Sequence, residues 1–244
     1  MLRVKQHEPW YVLPQQRYSL TTRPPSTSMN GNFTFFCKFK VEDAIDTEKP
    51  CSVMMRPGMH TGLCYVQGEE HINWEFWYEK DGVNEFGHIA IKLDYHLPNT
   101  KLSDEWIAIV RHFEHDKEFS LKLINNRTAQ TFQKKTNYNG VLNNYEHTPY
   151  NFGCGNYFKQ VDDSHYFFGD YSLEYAGLLE STRNSDNEIL NFVEKNKEAF
   201  TTLQEKGKLE EIIFYFNMMN KNRYKVWDLS EHCNFLQYNV DVFK

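Results

Sequence analysis

Along His71-Ile72-Asn73-Trp74-Glu75-Phe76-Trp77-Tyr78-Glu79 the residue types alternate with a period of two, the mark of a half-buried strand. Ile72, Trp74, Phe76 and Tyr78 then share one face, which belongs to a core. His71, Asn73, Glu75, Trp77 and Glu79 share the other. A ring set among carboxylates, an amide and an imidazole can stack on the apolar face of a sugar and hydrogen-bond its hydroxyls. The next strand offers His88 and Lys92 on its polar face, and Arg56 is expected on a neighbour. His88 and Arg56 suit acidic groups. A polar face on an antiparallel sheet is also normal without a ligand, so a solvated or helix-covered face is the competing reading.

The same strand carries an enzymatic hypothesis. Glu75 and Glu79 fall on one face, roughly 7 Å apart at the Cα for a rise of about 3.4 Å per residue. Carboxylates near that separation can act as acid and base, or as nucleophile, in glycoside hydrolysis. Asp162, Asp163 and Asp170, with Glu174 nearby, gather oxygen ligands of the kind calcium favours. Their spacing matches no defined loop motif, so acidic turn residues solvated at the surface are the favoured reading. The histidines show no His-Glu-x-x-His signature. There is no Gly-rich phosphate loop or dinucleotide fingerprint, so no organic cofactor is expected.

These residues need a scaffold, and the chain supplies strands at short intervals. They are read at Phe33 to Val41, Cys51 to Arg56, Gly62 to Val66, His71 to Glu79, Phe86 to Asp94, Trp106 to Phe113, Phe119 to Ile124 and Phe168 to Leu179. Turn signals such as Asp81-Gly82 and Pro98-Asn99 separate them, as in a sandwich or jelly roll. Residues 1–32, with Pro14, Pro24 and Pro25, read as an extended arm and an edge strand. From Asn137 to Ser164 there is little periodicity, apart from a short strand at Tyr150 to Gly153, and loops of that length are often functional. Ser185 with Glu188 three residues later is a capping box. Ile189, Phe192, Val193, Phe200 and Leu203 keep helical spacing, and a second helix is expected from Leu209 to Asn220. The expected organisation is a β-sandwich over 1–183, a helical hairpin over 184–222, and a final segment, 223–244, that pairs back or opens a following module.

With 244 residues the chain can bury a sizeable core. Its 19 Phe and 15 Tyr favour strands and leave aromatics to spare for a stacking surface. A net charge of −6 lacks the basic footprint of a nucleic-acid binder. Cys37, Cys51, Cys64, Cys154 and Cys233 are odd in number and widely spaced, so reduced, buried thiols are expected rather than disulfides or zinc. No apolar run suggests a signal peptide or a membrane span, which is compatible with the cytoplasm.

The stretch Trp106 to Asn125, two strands joined by a charged turn and ending at Asn125-Asn126, together with Phe167-Phe168-Gly169-Asp170-Tyr171, resembles the laminin-G-like members of the concanavalin A-like lectin and glucanase superfamily. The resemblance covers roughly residues 30 to 190. Trp227-Asp228-Leu229-Ser230, followed by Cys233-Asn234, looks like the strand with which such domains begin, although Glu231 replaces a Gly. The resemblance implies a mainly β, two-sheet antiparallel jelly-roll sandwich with a C-terminal helical extension. It also implies glycan binding on a concave sheet or at the rim, and calcium on one rim. The Glu-x-Asp-x-x-Glu strand of the superfamily's glucanases is absent, and so are the Arg-x-Glu-x-Arg and Gln-x-His strands of its lyases. Asn156-Tyr157-Phe158-Lys159 faintly resembles the Tyr-containing strand of those lyases.

The expected function is therefore a non-catalytic carbohydrate- or glycoconjugate-binding module, a lectin using Trp77 for stacking, Glu75, Asn73 and His71 for hydroxyls, and His88 with Arg56 for acidic groups. An accessory or interaction domain of a larger multidomain protein, such as a glycosyltransferase or a surface or virion protein, is the alternative. A polysaccharide lyase or glycoside hydrolase is the third reading. The expected partners are a glycan and other domains of the same polypeptide, not nucleic acid.

Overall fold

Alternation of large apolar residues with smaller or charged ones builds nearly every long element of this chain. The computed structural model describes residues 2–4, 10–13, 31–42, 51–56, 61–66, 68–143, 151–152, 167–168, 171–197, 209, 211–222, 225–229 and 235–238. The strands are β1 (Leu2–Val4), β2 (Trp10–Leu13), β3 (Phe33–Val41), β4 (Cys51–Arg56), β5 (Thr61–Val66), β6 (His71–Lys80) and β7 (Val83–Lys92). After the single helical turn α1 (Leu93–His96) come β8 (Glu105–Phe113), β9 (Glu118–Asn125), β10 (Thr131–Asn137), β11 (Val141–Leu142), β12 (Asn151–Phe152), β13 (Phe167–Phe168) and β14 (Tyr171–Leu179). Helix α2 (Asp186–Lys195) precedes β15 (Ile212–Asn222), β16 (Lys225–Asp228) and β17 (Phe235–Tyr238).

Two antiparallel sheets result. The back sheet runs β10–β9–β8–β3–β14–β15. The front sheet runs β4–β5–β6–β7, and β11 joins the edge of β6 at Tyr78 and Glu79, past the end of β5. The ladder β15–β16–β17–β2–β12–β4 links the two, and β17 pairs with β2 from Phe235 opposite Leu13 to Tyr238 opposite Trp10. One short parallel pair, β13 with β4, stands apart from this pattern.

The core lies between the sheets. Phe35, Cys37 and Phe39 of β3, Trp106, Ala108 and Val110 of β8, and Phe119, Leu121 and Leu123 of β9 face Leu63, Tyr65, Ile72, Trp74, Phe76, Ile89 and Ile91 of the front sheet. All are essentially without solvent contact, and the ring of Phe76 lies 4.4 Å from that of Phe119. The buried Trp106 keeps its polar atom satisfied, its Nε1–H donating to the carbonyls of Lys101 and Leu102. Cys37, Cys51 and Cys64 are buried thiols, packed as small hydrophobes.

A second apolar layer covers the outer face of the back sheet. Ile189, Phe192 and Val193 of α2 pack on Phe36, Ile107, Ile109, Tyr175 and Tyr215. Because β8 is thus buried on both faces, its run Trp106 to Val110 is continuously apolar rather than alternating. Helix α2 opens with the expected capping box: the Glu188 amide donates to Ser185 Oγ, and the Ser185 amide donates to Glu188 Oε2 at 2.7 Å. Its first turn is tied to the sheet by Asp186, which meets Arg111 at 2.6 Å and Lys122 at 2.5 Å.

The second expected helix, Leu209 to Asn220, is instead strand β15. It pairs with β14 from Tyr175 opposite Asn217 to Leu179 opposite Ile212. The reason is visible in Ile212-Ile213-Phe214-Tyr215-Phe216, a β-branched and aromatic run that favours strands. Phe214, Phe216 and Met218 join the inter-sheet core while Tyr215 joins the layer under α2. Of the helical hairpin expected over 184–222, the second member is therefore replaced by β15 and the first is described as α2, while Phe200 and Leu203 lie outside the described residues.

Candidate functional site

The polar face of β6 is organised by its ladders with β5 and β7. Val66, His71 and Lys92 share one rung, Cys64, Asn73 and Ala90 the next, and Gly62, Glu75 and His88 the third. Trp77 stands opposite Phe86 on the fourth. Strand register therefore brings His71, Asn73, Glu75, Trp77 and His88 onto one surface. In β4, Arg56 pairs with Thr61, one residue past the Met55–Gly62 pair that continues the Glu75 rung; its side chain lies outside the described residues.

Burial divides this surface in two. His71, Asn73 and Glu75 are only 7%, 6% and 5% exposed, so this half is neither an open solvated face nor one covered by α2, which packs on the other sheet. Asn73 Nδ2 donates a long bond to Glu75 Oε1 at 3.5 Å, while Asn73 Oδ1 has no hydrogen-bond partner among the described residues. His71 Nδ1 lies 3.1 Å from Glu69 Oε2. Burial holds the imidazole below its ordinary pKa, with Lys92 and His88 pushing the same way and Glu69 opposing. Beside them the Cys64 thiol is pushed well up by burial, and further by the charges of Glu75 and Cys51. It is no nucleophile.

The other half is open and aromatic. Trp77 is half-buried, and its ring centroid lies 5.3 Å from that of Phe86. Phe86 is 45% exposed and stacks on His88 at 5.7 Å with the planes 21° apart. Exposed Val141, opposite Glu79 in the ladder, continues the surface toward the hairpin end. The Asn143 amide donates to the Trp77 carbonyl, and Asn143 Nδ2 donates to Asn84 Oδ1 at 3.1 Å, which fixes β11 along the platform.

Glu75 and Glu79, paired by sequence spacing, occupy unlike settings. Glu75 is buried beside Asn73, whereas Glu79 is exposed at the strand end, between Val141 and Asn84 in the ladders. Phe86 was not among the residues singled out from sequence. Its parity with His88, two residues on, was the available signal, and only the register with Trp77 shows that the three rings form one surface.

Asp162, Asp163 and Asp170 lie outside the described residues, as does Asn156-Tyr157-Phe158-Lys159. Among the described residues no three His, Cys, Asp or Glu side chains are grouped so as to hold a metal ion. No described helix is long and apolar enough to cross a membrane.

No protein-family model and no curated protein matches the chain. Among solved structures, the Ruminococcus gnavus IT-sialidase CBM40 is similar at a TM-score of 0.46 and 9% identity, over 78% of this chain and 96% of that one. The enzymatically active domain of tailspike protein 2 from bacteriophage CBA120 is similar at a TM-score of 0.45 and 9% identity, over 84% of this chain and 28% of that one. The botulinum neurotoxin serotype D binding domain is similar at a TM-score of 0.43 and 12% identity, over 80% of this chain and 45% of that one. This chain thus spans well under two thirds of the tailspike chain and of the toxin binding domain.

Proposed function

We propose that the protein is a non-catalytic carbohydrate-binding module whose ligand rests on the platform of Trp77, Phe86 and His88. The observation that carries the reading is the exposure of Phe86 on the same rung as Trp77, with His88 stacked against it. A strand phenylalanine left 45% exposed forgoes part of the roughly 1.5–3 kcal/mol that full burial brings, and a flat ring beside a second ring offers a stacking surface for the apolar face of a pyranose. His88 and the Asn84–Asn143 pair stand at its margin to hydrogen-bond hydroxyls. In this reading Asn73, His71 and Glu75, being buried, pack beside the platform on the same face rather than touching the ligand. His88 is the group offered to an acidic substituent, while Arg56, one residue out of step with the Glu75 rung, takes the opposite parity in β4.

The test is a glycan panel titrated against wild type, Trp77→Ala and Phe86→Ala. Loss of about tenfold or more in affinity for both variants is expected, equivalent to roughly 1.4 kcal/mol. Wild-type affinity in both would remove this face from the function.

A further inference from the structure

The most exposed large apolar side chain in the described structure is not on the platform but on the turn that follows β7. Tyr95 is 79% exposed, and the backbone that carries it is anchored on both sides. Leu93, at the start of α1, and Leu97, just past its end, are buried; the Leu93 amide donates to the Glu70 carbonyl, and the Leu97 amide donates to the Leu93 carbonyl. Further on, Thr100 Oγ1 and the Thr100 amide both donate to the Leu97 carbonyl. The Gln130 side chain donates to the Pro98 carbonyl, and Arg127 Nη2 to the Asn99 carbonyl. The Tyr95 ring stands edge-on to His96 at 4.8 Å, and His96 stacks on Phe132 of β10 at 4.2 Å. An exposed aromatic carried on an anchored turn is a contact whose backbone is already ordered, which lowers the entropic cost of using it.

The two aromatic platforms sit at opposite ends of one strand. Phe86 lies near the start of β7, and Lys92, its last residue, immediately precedes the α1 turn. At about 3.4 Å per residue the strand between Phe86 and Lys92 covers roughly 20 Å. Exposed His88 and Lys92 are spaced along that path. We infer that Tyr95 is a second stacking subsite and that the occupant is a linear polysaccharide running along β7 from Phe86 to Tyr95, rather than a terminal mono- or disaccharide. The inference rests on the proposed carbohydrate-binding function. Each subsite alone is weak. Joined by one chain, the second contact becomes intramolecular, and affinity rises steeply once the chain spans both.

The experiment compares the best-binding polysaccharide of the glycan panel with its own disaccharide and trisaccharide fragments, on wild type, Tyr95→Ala and Tyr95→Phe. The polymer's advantage over its disaccharide is expected to be on the order of tenfold or more in wild type, to collapse in Tyr95→Ala and to persist in Tyr95→Phe, which keeps the ring. Because Tyr95 is exposed, neither substitution threatens the fold. Wild-type binding with no advantage for the polymer, or an advantage that Tyr95→Ala leaves intact, overturns the second subsite and leaves the Trp77–Phe86 platform standing. A panel on which wild type binds nothing overturns both.

Discussion

The side-chain amide of Asn217 on β15 donates to the backbone carbonyls of Asn196, at 3.0 Å, and Lys197, at 2.7 Å, at the C-terminal end of α2. The last carbonyls of a helix have no partner within it, and here a strand supplies one. Asn196 in turn donates its own side-chain amide to the Phe192 carbonyl. The helix is therefore fastened at both ends to the sheet it covers, by Asp186 to Arg111 and Lys122 at its start and by Asn217 at its finish.

Replacing Asn217 by Ala leaves the buried Asn196 carbonyl without this partner, and the expected cost is about 1–3 kcal/mol of stability. Chemical unfolding measures it directly. A midpoint equal to that of wild type would mean that water takes over both bonds at no cost.

The turn that leads from β9 into β10 is held by a carboxylate. Arg127 donates from Nε and Nη2 to the two oxygens of Asp104, and Asn125 and the Lys101 amide donate to the same carboxylate. The hydrogen bonds from Arg127 above all hold the Asp104 carboxyl at about 2. Because the folded value lies below the unfolded one, the contribution is fully present above about 4 and is lost as the pH falls toward 2. Asp104→Asn is expected to flatten that part of the acid limb when melting temperature is followed against pH. A parallel loss in wild type and variant would assign the acid transition to other carboxylates.

His112 answers to a milder acid. Its ring is fully buried, stacked on Phe119 at 4.6 Å. Nδ1 lies 2.7 Å from the Gly31 carbonyl and Nε2 lies 2.9 Å from the Tyr138 hydroxyl. A carbonyl only accepts, so Nδ1 carries the proton and Nε2 accepts from Tyr138. Burial lowers the imidazole pKa. The neutral ring is the folded form, so stability is full above the unfolded value of about 6.5 and declines as pH falls through the lower folded value. The decline is expected to be steeper in wild type than in His112→Phe, which keeps the stacking and removes this titration, with buried His71 contributing the part that remains. The same slope in both proteins below that pH would exclude His112 as its source.

How much of this was legible in the sequence depends on what alternation encodes. The strand of Phe33 to Val41 is written residue by residue, and the faces of β6 follow from its period of two, because Ile72, Trp74 and Phe76 do line the core. Alternation says which face a residue takes but not what lies over that face, and so the burial of His71, Asn73 and Glu75 could not be read. Thr131–Asn137 is a strand with hardly an apolar residue, an edge partner of β9 that no hydrophobic pattern announces. At Ile212-Ile213-Phe214-Tyr215-Phe216 both strand faces are buried, one under α2. A run apolar on every side fits a helical stripe and a doubly covered strand alike, and the β-branched and aromatic composition was the signal that decides between them. Phe86 needed its cross-strand partner to be recognised, and that pairing is a property of register.

Gly87 sits between Phe86 and His88, and it determines how the platform rests on the core. A Cβ at this position would stand 2.3 Å from the Phe76 ring, which lies across the glycine on the core side of the same rung. Phe76 has no room to withdraw, because it is buried against Phe119. Gly87→Ala must therefore displace either the Phe76 ring or β7 itself. The expected loss is about 1–3 kcal/mol of stability, as for overpacking elsewhere. If β7 is what yields, the Trp77–Phe86 contact opens and glycan affinity falls along with stability. If Phe76 yields, stability falls alone. Measuring unfolding free energy and panel affinity on the same variant separates these outcomes, and an alanine tolerated without change in either quantity would contradict the packing at this rung.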